Sequence, residues 1–419
     1  MDVYINLGGT AGIKSTCPKN INCFWDFLFF NGGYPMKKIL SVVLFLSILV
    51  LCLSGCIKLE ITKNASVETA INAEVNEPKE VEDNTKIVET TRKDQAISSS
   101  KQEDTTTETN KNVDSGKVYR IGIGQFAEHP SLDNCRNGII EGLKEEGFIE
   151  GVNLEIKYDN ANTDGSFASQ IYNNYKNNNF DLVFAIATPM AQSAYSVFRD
   201  TDTPIVFSAV TDPVAASIAG EDKKPVGNIT GTSDKLPVKD QIVLIRKMYP
   251  DTKRIGILYT TSEVNSISSI KEYELIASEF GIEIVAQGIN ETSDLPMAVD
   301  SLLRKNKGVD VITNITDNTV VASLPIVLQK AKEHKIPVFG SEVEQVKNGC
   351  IASMGLEYVE LGKQTGHMAA QILKGEKKAS EMEYEIIENA SLYINLKTAS
   401  ELGYEFDYEL LTEAVEKFN

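Results

Sequence analysis

The stretch Asp181–Pro213, DLVFAIATPMAQSAYSVFRDTDTPIVFSAVTDP, decides how the rest of the chain is read. Leu182–Ala187 and Pro204–Ala209 are continuous apolar runs, the pattern of parallel strands covered on both faces. Between them Thr188-Pro189 opens a short helix, with Thr188 the predicted N-cap and Pro189 at the first helical position. Such a turn leaves backbone N–H groups free at the carboxyl end of a strand, where open α/β sheets take their ligands.

The unit returns downstream as Asp310–Phe339, DVITNITDNTVVASLPIVLQKAKEHKIPVF, with Asp317 placed after Asp310 as Thr188 is after Asp181. Ile336-Pro337-Val338-Phe339 echoes Thr203-Pro204-Ile205-Val206-Phe207. Each copy also has the same first strand upstream, Arg120-Ile121-Gly122-Ile123 and Arg254-Ile255-Gly256-Ile257. Three echoes in one order predict two similar α/β lobes.

With 419 residues, 42% of them hydrophobic, the chain is long enough for two or three domains and a substantial core. A net charge of −18 argues against a nucleic-acid role. The six cysteines include no CxxC pair and the three histidines are far apart, so neither a metal site nor a disulfide framework is expected. Gly122-Ile123-Gly124 alone makes neither a phosphate loop nor a dinucleotide fingerprint, and no cofactor is expected.

The first part of the chain reads as targeting rather than fold. From Met36, Lys37 and Lys38 form a charged n-region and Ile39–Leu51 an apolar core too short for an ordinary membrane span. Leu53-Ser54-Gly55-Cys56 then resembles a bacterial lipobox, in which cleavage precedes a cysteine that carries a diacylglycerol. Residues 1–35 fit neither a signal peptide nor a domain. Asn31-Gly32-Gly33 placed just before Met36 reads as a translated ribosome-binding site, so the expected native start is Met36, a disordered extension being the alternative. From Ile57 to about Gly116 the chain is polar and lacks aromatic residues, as expected of a flexible tether.

From Lys117 onward strands and helices alternate in a flavodoxin-like order. Residues 117–234 form the expected first lobe, joined by about 355–375. Residues 235–354, with about 384–419, form the second. Ser131 is the expected cap of the helix over 132–148, a single helix is expected over 318–334, and Tyr358–Leu373 reads as an amphipathic helix. Crossings near 233–236 and 353–357 imply a hinge and a cleft.

Several segments together carry a family resemblance: IGIGQFAEHPSLD, FAIATPMAQSA, IVFSAVTDPVAA, NITGTSD, GILYTTSEVNS, TDNTVV, IPVFGSE and ELGKQTGHMAAQIL. Over 117–399 the chain resembles the tryptophan/tyrosine-type ABC transporter substrate-binding lipoprotein family. The resemblance implies a two-lobed periplasmic-binding-protein type I fold and hinge closure on a small ligand. It also implies an aromatic amino acid as that ligand, an ABC permease as partner, a membrane-anchored monomer and no catalysis. A receptor sensing domain, an extracellular α/β enzyme, or a binder of a nucleoside or sugar are the alternatives.

Strand ends facing a cleft nominate the ligand contacts. From the first lobe these are Gln125, Phe126, Glu128, His129, Thr188, Pro189, Thr211 and Asp212, with Asp234 at the crossing. From the second they are Ser262, Asn265, Ser266, Asp317, Asn318, Thr319 and Glu342. Thr188, Ser262 and Ser266 at helix starts suit a carboxylate, Asp212 or Asp317 an ammonium, and Phe126 an aromatic ring. Thr188, Asp317 and Thr319 equally suit helix capping, Asp212 and Asp234 turn chemistry, and Phe126 the core. Glu128-His129 lacks a nearby nucleophile or metal partner, which argues against catalysis.

Overall fold

The computed structural model describes residues 116–304, 308–387 and 390–419, and by itself a short antiparallel pair, Val3–Asn6 with Gly12–Ser15. The expected signal peptide, Cys56 and tether lie outside the described residues.

The first lobe is built on β1 (Tyr119–Gln125), α1 (Pro130–Glu145), β2 (Leu154–Asn160), α2 (Gly165–Asn177), β3 (Leu182–Ile186), α3 (Thr188–Phe198), β4 (Ile205–Ser208) and β5 (Ile229–Ser233). All strands are parallel in the order β2-β1-β3-β4-β5. β3 and β4 are buried along their whole length, whereas edge strand β2 alternates, as the sequence pattern predicts.

The second lobe follows with α4 (Val238–Met248), β6 (Arg254–Thr260), α5 (Val264–Glu279), β7 (Glu283–Ile289), α6 (Leu295–Leu302), β8 (Val311–Thr313), α7 (Asn318–Ala322), α8 (Leu324–Glu333), β9 (Val338–Phe339) and α9 (Val343–Lys347). Its parallel sheet runs β9-β8-β6-β7. β10 (Ala352–Gly355) continues past β9, with Gly340 N–H donating to the Ala352 carbonyl at 3.0 Å. α10 (Tyr358–Leu373) then returns to the first lobe.

The internal repeat has a physical cause. Asp181 accepts from Arg120 N–H at 2.8 Å and Asp310 from Arg254 N–H at 2.8 Å, so each carboxylate ties two parallel strands at their starts. The two arginines then pair with Glu155 and Glu283 on the neighbouring strand, at 3.1 and 3.2 Å. The same three-residue arrangement recurs at the strand starts of both sheets.

Three expectations need correction. The expected helix over 318–334 is two helices broken at Ser323, because Pro325 has no N–H to continue the first and its ring excludes the preceding turn. α1 starts one residue before Ser131, with His129 in the cap position, and Thr188 lies inside α3 behind Ala187. The tail does not pass to the second lobe at Tyr384. β11 (Glu385–Ile386) first pairs with Thr232 and Ser233 of β5, and only β12 (Ser391–Asn395) joins β10. α11 (Leu396–Leu402), α12 (Tyr408–Glu413) and β13 (Glu416–Phe418), which finish the second lobe, have no counterpart in the sequence reading.

α1 and α10 meet through glycines. A methyl group on Gly138 would sit 2.1 Å from the Val359 carbonyl oxygen, and one on Gly362 2.1 Å from that of Cys135. Beneath them Ser208, Thr232 and Thr365 share hydrogen bonds of 2.7–3.1 Å, and the Cys135 thiol donates to Ser208. Gly362→Ala is therefore expected to lower stability by about 1–3 kcal/mol through overpacking. Urea unfolding checks this, and an unchanged midpoint would mean the helices separate without cost.

Candidate functional site

Between the lobes lies a narrow cleft lined by residues of both lobes. The first lobe contributes His129, Ser131 and Leu132 from the start of α1, Ala209 after β4, and Asp234 after β5. The second contributes Asn265 on α5, Thr316–Asn318 and Val321 around α7, and Glu342 and Gln345 at α9; Tyr358 enters on α10. The lobes touch across it. Thr211 and Thr316 hydroxyls lie 2.8 Å apart, Asn134 donates to Glu344 at 3.2 Å, and Ser268 donates to Asp212.

Asp234, 1% exposed, accepts from Thr211 Oγ1 at 3.0 Å and from the Tyr358 hydroxyl at 2.5 Å. Burial raises its pKa, offset in part by those two bonds. Glu342 caps α9 by accepting from the Glu344 and Gln345 amides at 2.7 and 2.8 Å, yet burial pushes it up to about 7. The Ser131 hydroxyl lies near enough to favour the charged form of Glu342 but makes no hydrogen bond of ordinary geometry. His129 is lowered to about 4 by burial against the attraction of Asp133, so at neutral pH it carries one donor and one acceptor nitrogen.

Asp317 and Glu263 form a second buried acidic pair, both raised by desolvation. Asp317 is fully engaged: Thr260 N–H (2.6 Å), Thr260 Oγ1 (2.9 Å), Ser266 Oγ (2.7 Å) and Val320 N–H (2.9 Å) all donate to it. Glu263 takes Asn265, Asn318 and Thr319. None of the cleft-lining residues is lysine or arginine. No group of three metal-ligating side chains occurs among the described residues.

Of the sixteen nominated residues, His129, Asp234, Asn265, Asp317, Asn318 and Glu342 line the cleft. Gln125 is turned inward, spent on the Ala127 carbonyl, Asp133 and Arg136. Phe126 belongs to the first core, Glu128 and Ser262 are exposed, and Pro189 is half-buried on α3. Thr211 and Asp212 join the lobes, Asp212 also accepting from Ala215 N–H at 2.9 Å, while Ser266 and Thr319 brace the acidic pair. Thr188 is buried with its hydroxyl unpartnered. Sequence reasoning missed Ser131 as a lining residue, Tyr358, Thr316, Gln345 and Glu263. Tyr358 alone had a usable signal, as the first residue of a helix placed just after a lobe crossing.

A family model described as "ABC transporter substrate binding protein" matches residues 120–418. The chain belongs to that family. It is 38% identical over 293 residues to a tyrosine-binding protein of Clostridioides difficile (strain R20291), covering 70% of this chain and 83% of that relative. A Streptococcus pneumonia ABC domain solved in complex with L-Trp is 34% identical, with TM-score 0.69 over 72% of this chain and all of the other. A ligand-free, open substrate-binding protein with adhesive properties from Clostridium difficile is 36% identical over the same shares, with TM-score 0.56. The lobes of this substrate-binding protein are in contact through the hydrogen bonds across its cleft. Its fold is the two-lobed type I fold that the resemblance implies. Membership makes it the extracytoplasmic, small-molecule-binding component of an ABC transporter. No helix among the described residues is long and apolar enough to cross a membrane.

The carboxyl groups give the site a pH signature. Folded Glu342 titrates at about 7 against an ordinary 4.5, so across that window the folded state holds a proton the unfolded chain has lost. Stability contributed by this group falls as pH rises through the window, by an amount on the order of 2–3 kcal/mol. His129 runs the other way between about 4 and 6.5, so a variant is needed to separate them. Glu342→Gln, which keeps an acceptor oxygen for one of the two amides, is expected to lessen the fall in denaturant midpoints from pH 4.5 to 7. Identical slopes in parent and variant would count against a buried, protonated Glu342.

Proposed function

We propose that this protein captures an aromatic L-amino acid in the interlobe cleft and presents it to a membrane permease, without chemical change to the ligand. The observation that carries this reading is a buried site holding carboxyl groups and unpartnered polar atoms but no cationic side chain. A bound ammonium supplies the missing positive charge, and the walls offered by Leu132, Ala209, Val321 and Tyr358 suit a flat apolar side chain. The names of the tyrosine-binding relative and the L-Trp complex favour the same class.

Asp234 is the proposed ammonium partner, joined by the free Asn265 Oδ1. It replaces Asp317 and Asp212 in that role, since Asp317 already takes four donors within its own lobe and Asp212 does not line the cleft. The ligand carboxylate is assigned to the strand ends of the first lobe. Ala187 and Ala209 stand there at φ 82° and 56°, strained values for alanine, and the Thr188 hydroxyl lacks a partner.

Calorimetry with L-tyrosine, L-tryptophan and L-phenylalanine tests the reading. At least one is expected to bind with a dissociation constant in the micromolar range or tighter, about −8 kcal/mol. Losing a charge-assisted bond costs about 1.5–3 kcal/mol, so Asp234→Asn should weaken binding tenfold or more. Glu145→Gln, remote from the cleft, should leave it unchanged. Binding of a sugar or nucleoside in place of every amino acid would refute the ligand class.

Attachment through Cys56 belongs to the same proposal, supported by Lys37-Lys38, the apolar run and Leu53-Ser54-Gly55-Cys56. Diacylglycerol contributes two chains, enough for stable anchoring. Cell-derived protein should partition into detergent, and Cys56→Ala should move it to the aqueous phase; partitioning that is blind to the substitution would exclude this anchor.

A further inference from the structure

The cleft does not end at the inner space beside Asp234. A second space of about 670 Å³, open to solvent, shares His129, Ser131, Val321, Glu342 and Gln345 with the first and has none of Asp234, Asn265 or Thr316–Asn318 among its walls. The shared residues stand between the two spaces, and the unshared ones of the first form its inner end. The outer walls mix apolar Pro130, Leu324 and Leu328 with polar Glu128, Glu344 and Asn348.

The ring of shared residues is unusual in its hydrogen bonding. His129 is 8% exposed and both its nitrogens lack a partner; Ser131 is 2% exposed and its hydroxyl also lacks one. Glu342 is 1% exposed beside them. Buried polar groups left unpaired are costly, so their retention needs a reason. A neutral imidazole and a hydroxyl each offer one donor and at least one acceptor. Their natural complement is a group that both donates and accepts.

We propose that His129, Ser131 and Glu342 form a polar collar that reads a hydroxyl at the far end of the ligand's ring, making this a site for a phenol rather than an unsubstituted benzyl side chain. The inference rests on the amino-acid reading above, with the head group at Asp234 and the ring lying past Leu132 and Val321. A phenol hydroxyl at the collar donates to the imidazole or to Glu342 and accepts from Ser131 or the imidazole N–H. Phenylalanine fills the same space but leaves the His129 nitrogens and the Ser131 hydroxyl unpaired. A site built to bond a hydroxyl discriminates strongly against the analogue lacking it.

The test measures L-tyrosine and L-phenylalanine binding to the intact parent, Ser131→Ala and His129→Leu by calorimetry, with ligand-free melting temperatures alongside. The parent is expected to favour tyrosine by about tenfold or more. Each variant should shrink that ratio several-fold through weaker tyrosine binding, with phenylalanine affinity held within about twofold. Ligand-free Ser131→Ala should melt close to the parent, because its hydroxyl makes no hydrogen bond of ordinary geometry. Equal parental affinities, a ratio unchanged in both variants, or equal loss of both ligands would overturn the collar while leaving the amino-acid reading intact. Failure of the parent to bind either ligand, with sound folding, overturns the collar, and it removes the amino-acid reading as well where L-tryptophan also fails to bind.

Discussion

Four glycines fix where the first lobe presents its side of the cleft. Gly138 and Gly142 on α1 meet Gly362 and Gly366 on α10 so closely that any side chain would strike backbone. α1 begins at Pro130, next to His129 and Ser131, and α10 begins at Tyr358. The contact thus sets, at once, the height of the collar and the reach of the Tyr358 hydroxyl to Asp234. It also fastens a helix that arrives from the second lobe to the core of the first. The hydroxyl cluster of Ser208, Thr232 and Thr365 beneath it does the same for the ends of β4 and β5. A binding protein whose lobes move needs each lobe to be rigid by itself, and backbone-to-backbone packing removes the slack that longer side chains would leave.

The lobes, their repeat and most element positions were legible because they depend on local pattern. Buried parallel strands write themselves as continuous apolar runs, and the recurring Asp181 and Asp310 are the clamps that start them. Pro325 is equally visible in the sequence, and its missing N–H divides α7 from α8. The site was legible only to the level of strand ends. Gln125, Ser266 and Asp317 stand where ligand contacts should, yet each spends its polar atoms on partners inside its own lobe. Nothing near Asp317 in sequence reveals that Thr260 and Ser266 will claim it. Likewise Asp234 could be placed at a crossing, but its dependence on Tyr358 is a contact between segments 124 positions apart. Tertiary pairing decides which strand-end groups remain available, and one-dimensional pattern carries little of that.

The unpaired groups bear on how the lobes close. In the closed arrangement His129, Ser131, Thr188 and Asn265 hold polar atoms that are out of water and without partners. Each such atom costs about 1–3 kcal/mol relative to its hydrated state. Opening the cleft returns these groups to water, so the empty closed form is disfavoured by several of these terms together. The bonds from Thr211 to Thr316, Asn134 to Glu344 and Ser268 to Asp212 oppose opening, at about 1 kcal/mol each for ordinary pairs. A ligand that meets the unpaired atoms removes the first set of costs and leaves the second set of bonds in place. Shifting a two-state balance from 1:99 to 99:1 needs about 5.5 kcal/mol of differential affinity. Two or three satisfied groups are enough to supply it. Recognition and closure are therefore the same event in this cleft: the atoms that choose the ligand are those whose desolvation holds the empty lobes apart.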